Sequence, residues 1–249
     1  MSDAKNPTAA ATPARRPTLR ARVERIHEHA ADTRSLFLRT VAGELPRFAP
    51  GMFVSIAIAL AAGARVRPYS IASCPEDGEP FEICFNRVPN GAGAAWLFER
   101  GVGDTVEFTG PFGAFTLERA SESETIFIAE GTGVAPIRPM VRRALADRDG
   151  PPIHLLYAAD RADHLLYRDE FTRLARENPR FHFAPKIIGA GAAALWAELT
   201  RTAETSWLDA DANRNRHFYI CGVGKGVLEL RDRLRAGGYE RRAVRYEQW

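Results

Sequence analysis

The sequence predicts two domains of different build, an antiparallel β-barrel over residues 18–120 and an α/β domain with a doubly wound parallel sheet over 121–249. Three observations predict this. From Leu19 to about Leu117 short β-like runs are broken by Gly, Pro and Asp, the spacing of a small barrel. From Glu124 onward strand-like and helix-like runs alternate, which builds a parallel sheet with helices on both faces. A chain of 249 residues is also long enough to bury two cores.

Residues 1–17 are rich in Ala, Pro and Thr. No apolar stretch follows Arg15-Arg16, so the segment reads as a disordered tail rather than a secretion signal, and a cytoplasmic protein is expected. The barrel strands are placed at Leu19–Ile26, Thr33–Thr40, Met52–Ala59, Arg67–Ala72, Phe81–Arg87 and Thr105–Thr109. A glycine-led helix interrupts them at Gly91–Arg100, and Gly110-Pro111-Phe112-Gly113 reads as a turn. A short polar linker near Arg119–Glu124 separates the domains. The second domain then reads as strands Thr125–Ala129, Ile153–Tyr157, Arg180–Ala184 and His217–Ile220. Its helices are near Pro136–Asp147, Arg168–Glu177, Ala193–Thr202 and Val227–Ala236.

Composition narrows the function. Hydrophobic residues make up 45% and charged residues 26%, as in a soluble globular protein. A net charge of +3, shared between the halves, does not suggest nucleic acid. The longest apolar run, residues 53–62, is about half the roughly 20 residues of a spanning helix, so no membrane span is expected. Cys74, Cys84 and Cys221 are too scattered for a zinc or iron–sulfur site, and no metal is implied. The working expectation is a monomer.

Three stretches carry chemistry. Arg67-Pro68-Tyr69-Ser70 joins a guanidinium suited to a pyrophosphate, a flat ring and a hydroxyl. Alternation puts Arg67 and Tyr69 on one face and Ser70 on the other, and Pro68 belongs at a sheet edge. Gly131-Thr132-Gly133-Val134-Ala135-Pro136 follows a strand and precedes a helix. It is either a seat for phosphate or nicotinamide, or a packing turn. Tyr219-Ile220-Cys221-Gly222 puts Cys221 at the carboxyl edge of the sheet, where it is either at a ligand or simply buried.

In this order, together with Leu165–Glu170 and the terminal Glu247-Gln248-Trp249, the motifs resemble the ferredoxin–NADP reductase superfamily from about Leu19 to Trp249. The resemblance implies a six-stranded Greek-key barrel holding FAD and a second domain holding NADP(H), with hydride passing between them. Arg67 would then pair with the FAD pyrophosphate, Pro68 and Tyr69 would meet the ring system, and Ser70 would hydrogen-bond the flavin edge. Gly91, Ala92, Gly93 and Ala94 would cap the pyrophosphate, and Cys84, Asn86 and Val88 would complete the FAD pocket. Gly131, Thr132, Gly133, Pro136, Arg161, Lys186, Cys221 and Gly222 would hold NADP, with Thr132 between the two cofactors. Glu247 would relay protons and Trp249 would cover the flavin.

Two departures stand out. Ala94 replaces the usual Ser or Thr, so FAD affinity should rest more on Arg67. Asn90 stands near the place of an adenine-stacking aromatic, which leaves FMN open. With Lys186 the one clear cation for the extra phosphate, a mild NADP preference is expected. The expected function is an FAD-dependent reductase exchanging electrons singly with a ferredoxin or flavodoxin. The alternatives are the reductase component of an oxygenase system, a free-flavin reductase, or a non-catalytic flavin or dinucleotide sensor. Arg231, Arg233, Arg235, Arg241, Arg242 and Arg245 are candidate docking cations for an acidic partner.

Overall fold

A computed structural model describes residues 17–60, 63–88, 91–117, 119 and 121–249. The tail through residue 16 and Asn90 therefore lie outside the described residues.

The first domain is a six-stranded antiparallel sheet: β1 (Leu19–Ala30), β2 (Thr33–Thr40), β3 (Phe53–Ile58), β4 (Arg65–Ser70), β5 (Phe81–Asn86) and β6 (Thr105–Phe112), in the order β4-β3-β6-β1-β2-β5. The two edge strands meet through an Ile71–Ile83 bridge, which closes the sheet toward a barrel. Alternation in β3 buries Val54, Ile56 and Ile58 inward, and aromatic Phe81 and Phe108 fill the centre. Pro68 lies on edge strand β4, where its missing N–H leaves no gap in a ladder. The expected turn at Gly110–Gly113 is a correction: β6 runs through to Phe112. Gly110, at φ +129°, lets the strand bend instead of ending it, and a Cβ there would lie 3.2 Å from the Phe53 carbonyl oxygen. Helix α1 (Ala92–Phe98) bridges β5 and β6.

The second domain is a parallel sheet of β7 (Glu124–Glu130), β8 (Ile153–Ala159), β9 (Phe181–Ile187), β10 (Arg216–Gly222) and β11 (Val244–Gln248), in the order β11-β10-β7-β8-β9. β11 is absent from the sequence reading. Its run Val-Arg-Tyr-Glu-Gln is too polar to look like a buried strand, because it is an edge strand that hydrogen-bonds on one side only.

Phe127 and Ala129 point to one face, under α2 (Val134–Leu145) and α3 (Arg168–Glu177). Ile126 and Ile128 point to the other, under α4 (Ala192–Ala203) and α5 (Gly226–Ala236). Strand order reverses at β7, so the crevice for a ligand opens beyond its carboxyl end, at Gly131–Gly133. The core beneath α2 also takes in Ala72, Cys84, Phe115 and Leu117 of the first domain, so apolar packing runs across the junction.

Candidate active site

A cavity of about 620 Å³ lies between the barrel and the second domain. Its walls are Leu60, Arg65, Arg67, Pro68, Tyr69, Ser70, Cys84, Phe85, Asn86, Val88, Gly91, Ala92, Gly93, Ala94, Thr132, Ala135 and Trp249. Every residue expected at an FAD pocket is in this wall. Among the described residues two arginines line it and no Asp or Glu does. Among the described residues neither Arg65 nor Arg67 has an acidic partner, and Arg67 donates only to the Val66 carbonyl, at 3.0 Å. A cleft with uncompensated guanidinium groups suits an anionic ligand. A Cβ at Gly93 would sit 3.1 Å from Arg67 Cγ and 3.3 Å from the Tyr69 hydroxyl, so glycine there lets α1 approach the Arg67–Tyr69 face. Burial pushes the Tyr69 phenol up to about 12, which keeps it neutral, and its ring meets Phe85 edge-on at 5.7 Å. Sequence reasoning missed Leu60, Arg65, Phe85 and Ala135. Arg65 was legible, since residues two apart on a strand share a face.

A smaller cavity of about 240 Å³ adjoins the first and is lined by Asp32, Thr33, Asn86, Glu130, Gly131, Thr132, Asp160, His164, Leu166, Gly191, Ala192, Leu195 and Val223. Thr132 and Asn86 belong to both walls. The Thr132 hydroxyl donates to Asn86 Oδ1 at 3.4 Å, joining the glycine turn to the end of β5. His164 links the domains here, with Nδ1 2.5 Å from Asp160 and Nε2 2.8 Å from Asp32. Burial opposes its charge, but the two carboxylates outweigh that and raise its pKa. Asp32, Asp160 and His164 were also missed, because they converge from loops 132 positions apart or lie outside any motif.

Three expectations change in the structure. Gly133 is buried and lines neither cavity; a Cβ there would lie 2.4 Å from the Cys221 carbonyl oxygen, so this glycine serves close packing of α2 on β10. Gly131, at φ +54° with open space around it, is the turn residue. Cys221 is fully buried and lines neither cavity, although it was expected to line the nicotinamide pocket; burial and the neighbouring Glu247 push its thiol up, against an opposing influence of Trp249. Lys186 is not a free cation, because its ammonium lies 3.3 Å from Glu198, which also holds Arg201. Gly222, Pro136 and Arg161 likewise lie outside both walls, and Arg161 pairs with Asp163. The docking arginines are largely engaged within the fold: Arg231 with Asp232, Arg233 with Glu204, Arg242 with Glu240, Arg235 with the Val244 carbonyl, and Arg245 with the Thr116 carbonyl.

Parallel pairing of β10 and β11 sets Glu247 beside Cys221. Glu247 Oε2 is buried with no hydrogen-bond partner among the described residues, and burial pushes the carboxyl up to about 7. It therefore keeps its proton below about pH 7 and becomes an anion above it. A group that changes charge in this range, two residues before Trp249 of the cavity wall, is suited to moving a proton. The pH profile of flavin reduction or reoxidation should show an inflection near pH 7 that Glu247→Gln removes. An inflection that survives the substitution assigns the titration to another group.

Comparison with known proteins agrees with this geometry. Residues 20–117 match the oxidoreductase FAD-binding domain and residues 127–228 the oxidoreductase NAD-binding domain. Ferredoxin–NADP reductase B of Sorangium cellulosum is 31% identical over 230 residues, covering 87% of this chain and 91% of that one.

The chain belongs to the ferredoxin–NADP reductase superfamily.

It is thus an FAD-dependent oxidoreductase with NAD(P) as second cofactor, built on the superfamily's barrel and α/β pair. The reductase subunit of an Amycolatopsis aromatic O-demethylase is 34% identical over 174 residues, 68% of this chain, but the match spans only about half of that relative's length. Among solved structures, an Amycolatopsis cytochrome P450 reductase aligns with a TM-score of 0.79 at 27% identity, covering 97% of this chain and 73% of that one. A Neisseria gonorrhoeae ferredoxin–NADP+ reductase with bound FAD and NADP shares the fold, with a TM-score of 0.77 at 18% identity over 93% and 98% of the two chains. No helix among the described residues is long and apolar enough to cross a membrane.

Proposed function

We propose that this reductase takes hydride from NADPH at the junction of the two cavities and passes electrons one at a time to a separate ferredoxin or flavodoxin. The observation that carries the reading is the shared wall: Thr132 and Asn86 separate an arginine-lined cleft from a second pocket at the strand-order reversal. When bound, FAD supplies the hydride acceptor and the step from electron pairs to single electrons. The chain's own groups bind, orient and exclude water. Arg67 and Arg65 would hold the pyrophosphate, and Ser70, buried at the cavity wall, would offer its hydroxyl to the ring edge. Asn86 and Thr132 would fix the separation of the two rings, and Glu247 would hold or release a proton.

A second reading is the reductase component of an oxygenase system, supported by the similarity to the electron transfer component of a Pseudomonas putida toluate 1,2-dioxygenase. The two readings differ in the acceptor. A separate acceptor is consistent with Cys74, Cys84 and Cys221 being buried on different elements. Anaerobic mixing with NADPH and with NADH should bleach the yellow flavin within seconds. Faster reoxidation by a ferredoxin than by an oxygenase component would favour the first reading, and the reverse order the second. No bleaching by either dinucleotide would sink both.

Preference for the extra phosphate should be held down by Glu198, which occupies Lys186 and Arg201. Glu198→Gln should tighten NADPH roughly tenfold, about one charge-assisted contact, and leave NADH nearly unchanged. Equal changes for the two dinucleotides would remove Lys186 from the phosphate site.

A further inference from the structure

We propose that Arg138 is a positioning residue for hydride transfer: with Glu82 it forms a buried strut that fixes the flavin-holding strand end against the helix whose preceding turn holds the nicotinamide. The inference rests on the assignment of the two cavities made above.

Arg138 lies on α2, two turns after Thr132. Its Nε donates to Glu170 at 2.8 Å. Its Nη1 donates to Glu82 at 2.7 Å and to the Ala72 carbonyl at 3.1 Å. Ala72 is two residues past Ser70. The same strand end is stitched to Glu82 by main chain as well: the Ala72 amide donates to the Glu82 carbonyl at 2.8 Å, and the Glu82 amide donates to Ser73 Oγ at 3.0 Å. One guanidinium thus grips α2, α3, β5 and the segment leaving β4. A planar fork with five donors can do this, and an ammonium cannot.

The network is buried and built around a carboxylate. Glu82 is 3% exposed and also accepts from Ser35 Oγ and, at 2.7 Å, from the Tyr167 hydroxyl. The Arg138 guanidinium lies 4.4 Å from the centre of the Tyr167 ring. Tyr167, whose hydroxyl and ring make these contacts, is held at φ +57°, a left-handed conformation that is uncommon for an aromatic residue. His29, 2.9 Å from Ser35 Oγ, is pushed down to about 4 by burial and by His27, so it adds no competing cation at neutral pH. A buried ion pair is a weak source of stability compared with apolar packing, and what this one supplies is a defined geometry. The segments it joins are those whose separation sets the hydride distance, where a shift of about 1 Å costs on the order of a hundredfold in rate.

The test compares wild-type holoenzyme with Arg138→Lys and with the triple variant Glu82→Gln/Arg138→Met/Glu170→Gln, which removes the guanidinium together with both of its carboxylate partners. Flavin content, unfolding midpoint, dinucleotide affinity, charge-transfer absorbance of the dinucleotide-bound protein, and the rate of flavin reduction with its deuterium isotope effect are measured in parallel. The expected result for both variants is full flavin content and dinucleotide affinity within about threefold of wild type. Reduction should be slower by about a hundredfold, with a larger isotope effect and weaker charge-transfer absorbance. A folded variant of either kind that reduces at the wild-type rate overturns the role of Arg138, as does a rate loss that follows flavin loss or the unfolding midpoint. Wild-type enzyme that neither dinucleotide reduces would overturn the proposed function as well, so the two failures are distinguishable.

Discussion

Arg67→Ala should leave the protein largely colourless after purification, with FAD affinity reduced by about 10- to 150-fold. Removing one charge-assisted contact to a phosphate costs roughly 1.5–3 kcal/mol, and tenfold in affinity corresponds to about 1.4 kcal/mol. The loss should fall at the upper end for two reasons. Ala94 offers no hydroxyl at the start of α1, so the pyrophosphate has one donor fewer than a Ser or Thr there would give. Nor does an acid compete for Arg67 among the described residues, so the guanidinium is already free to meet the ligand. Arg65→Ala serves as the control: it lines the same cavity and should cost less, with FMN affinity unchanged if it meets the adenosine side. Full flavin content in Arg67→Ala would remove the pyrophosphate role from this residue.

Much of the large cavity is legible in the sequence because its chemistry is local. Arg67, Pro68, Tyr69 and Ser70 are contiguous, and strand alternation alone assigns them to faces. The residues that sequence missed are those brought together by tertiary structure. His164 meets Asp32 across 132 positions, and Arg138 meets Glu82 across 56. Nothing in either local pattern marks a partner. Gly133 shows a different difficulty: a glycine beside a ligand and a glycine beside a strand look alike in sequence. Only the 2.4 Å approach to Cys221 separates them. Lys186 looked free because its partner Glu198 sits on a helix 12 residues on.

Trp249→Ser should tighten NADP+ binding by roughly tenfold, strengthen flavin–nicotinamide charge-transfer absorbance, and narrow the discrimination between NADPH and NADH. The indole lines the large cavity, is 39% exposed, and meets Phe53 edge-on at 6.4 Å. Its main chain is held in place, with the Trp249 amide donating to the Gly222 carbonyl at 3.0 Å. The ring can therefore swing by giving up its contacts with Phe53 and Cys221, and Ser keeps the backbone contact that a truncation would lose. Cys221 lies buried beneath it. A nicotinamide stacking at this place must first displace the indole, so the competent state is a minor one and apparent affinity falls by its fraction. Removing the ring abolishes that penalty. Turnover should then drop, because product that stacks without competition leaves slowly. The same substitution should expose Cys221 to thiol reagents, a readout independent of any dinucleotide. Unchanged dinucleotide affinity together with an unreactive Cys221 would show that the indole covers neither the flavin nor the thiol, and the placement of Glu247 as a proton carrier would lose its neighbour.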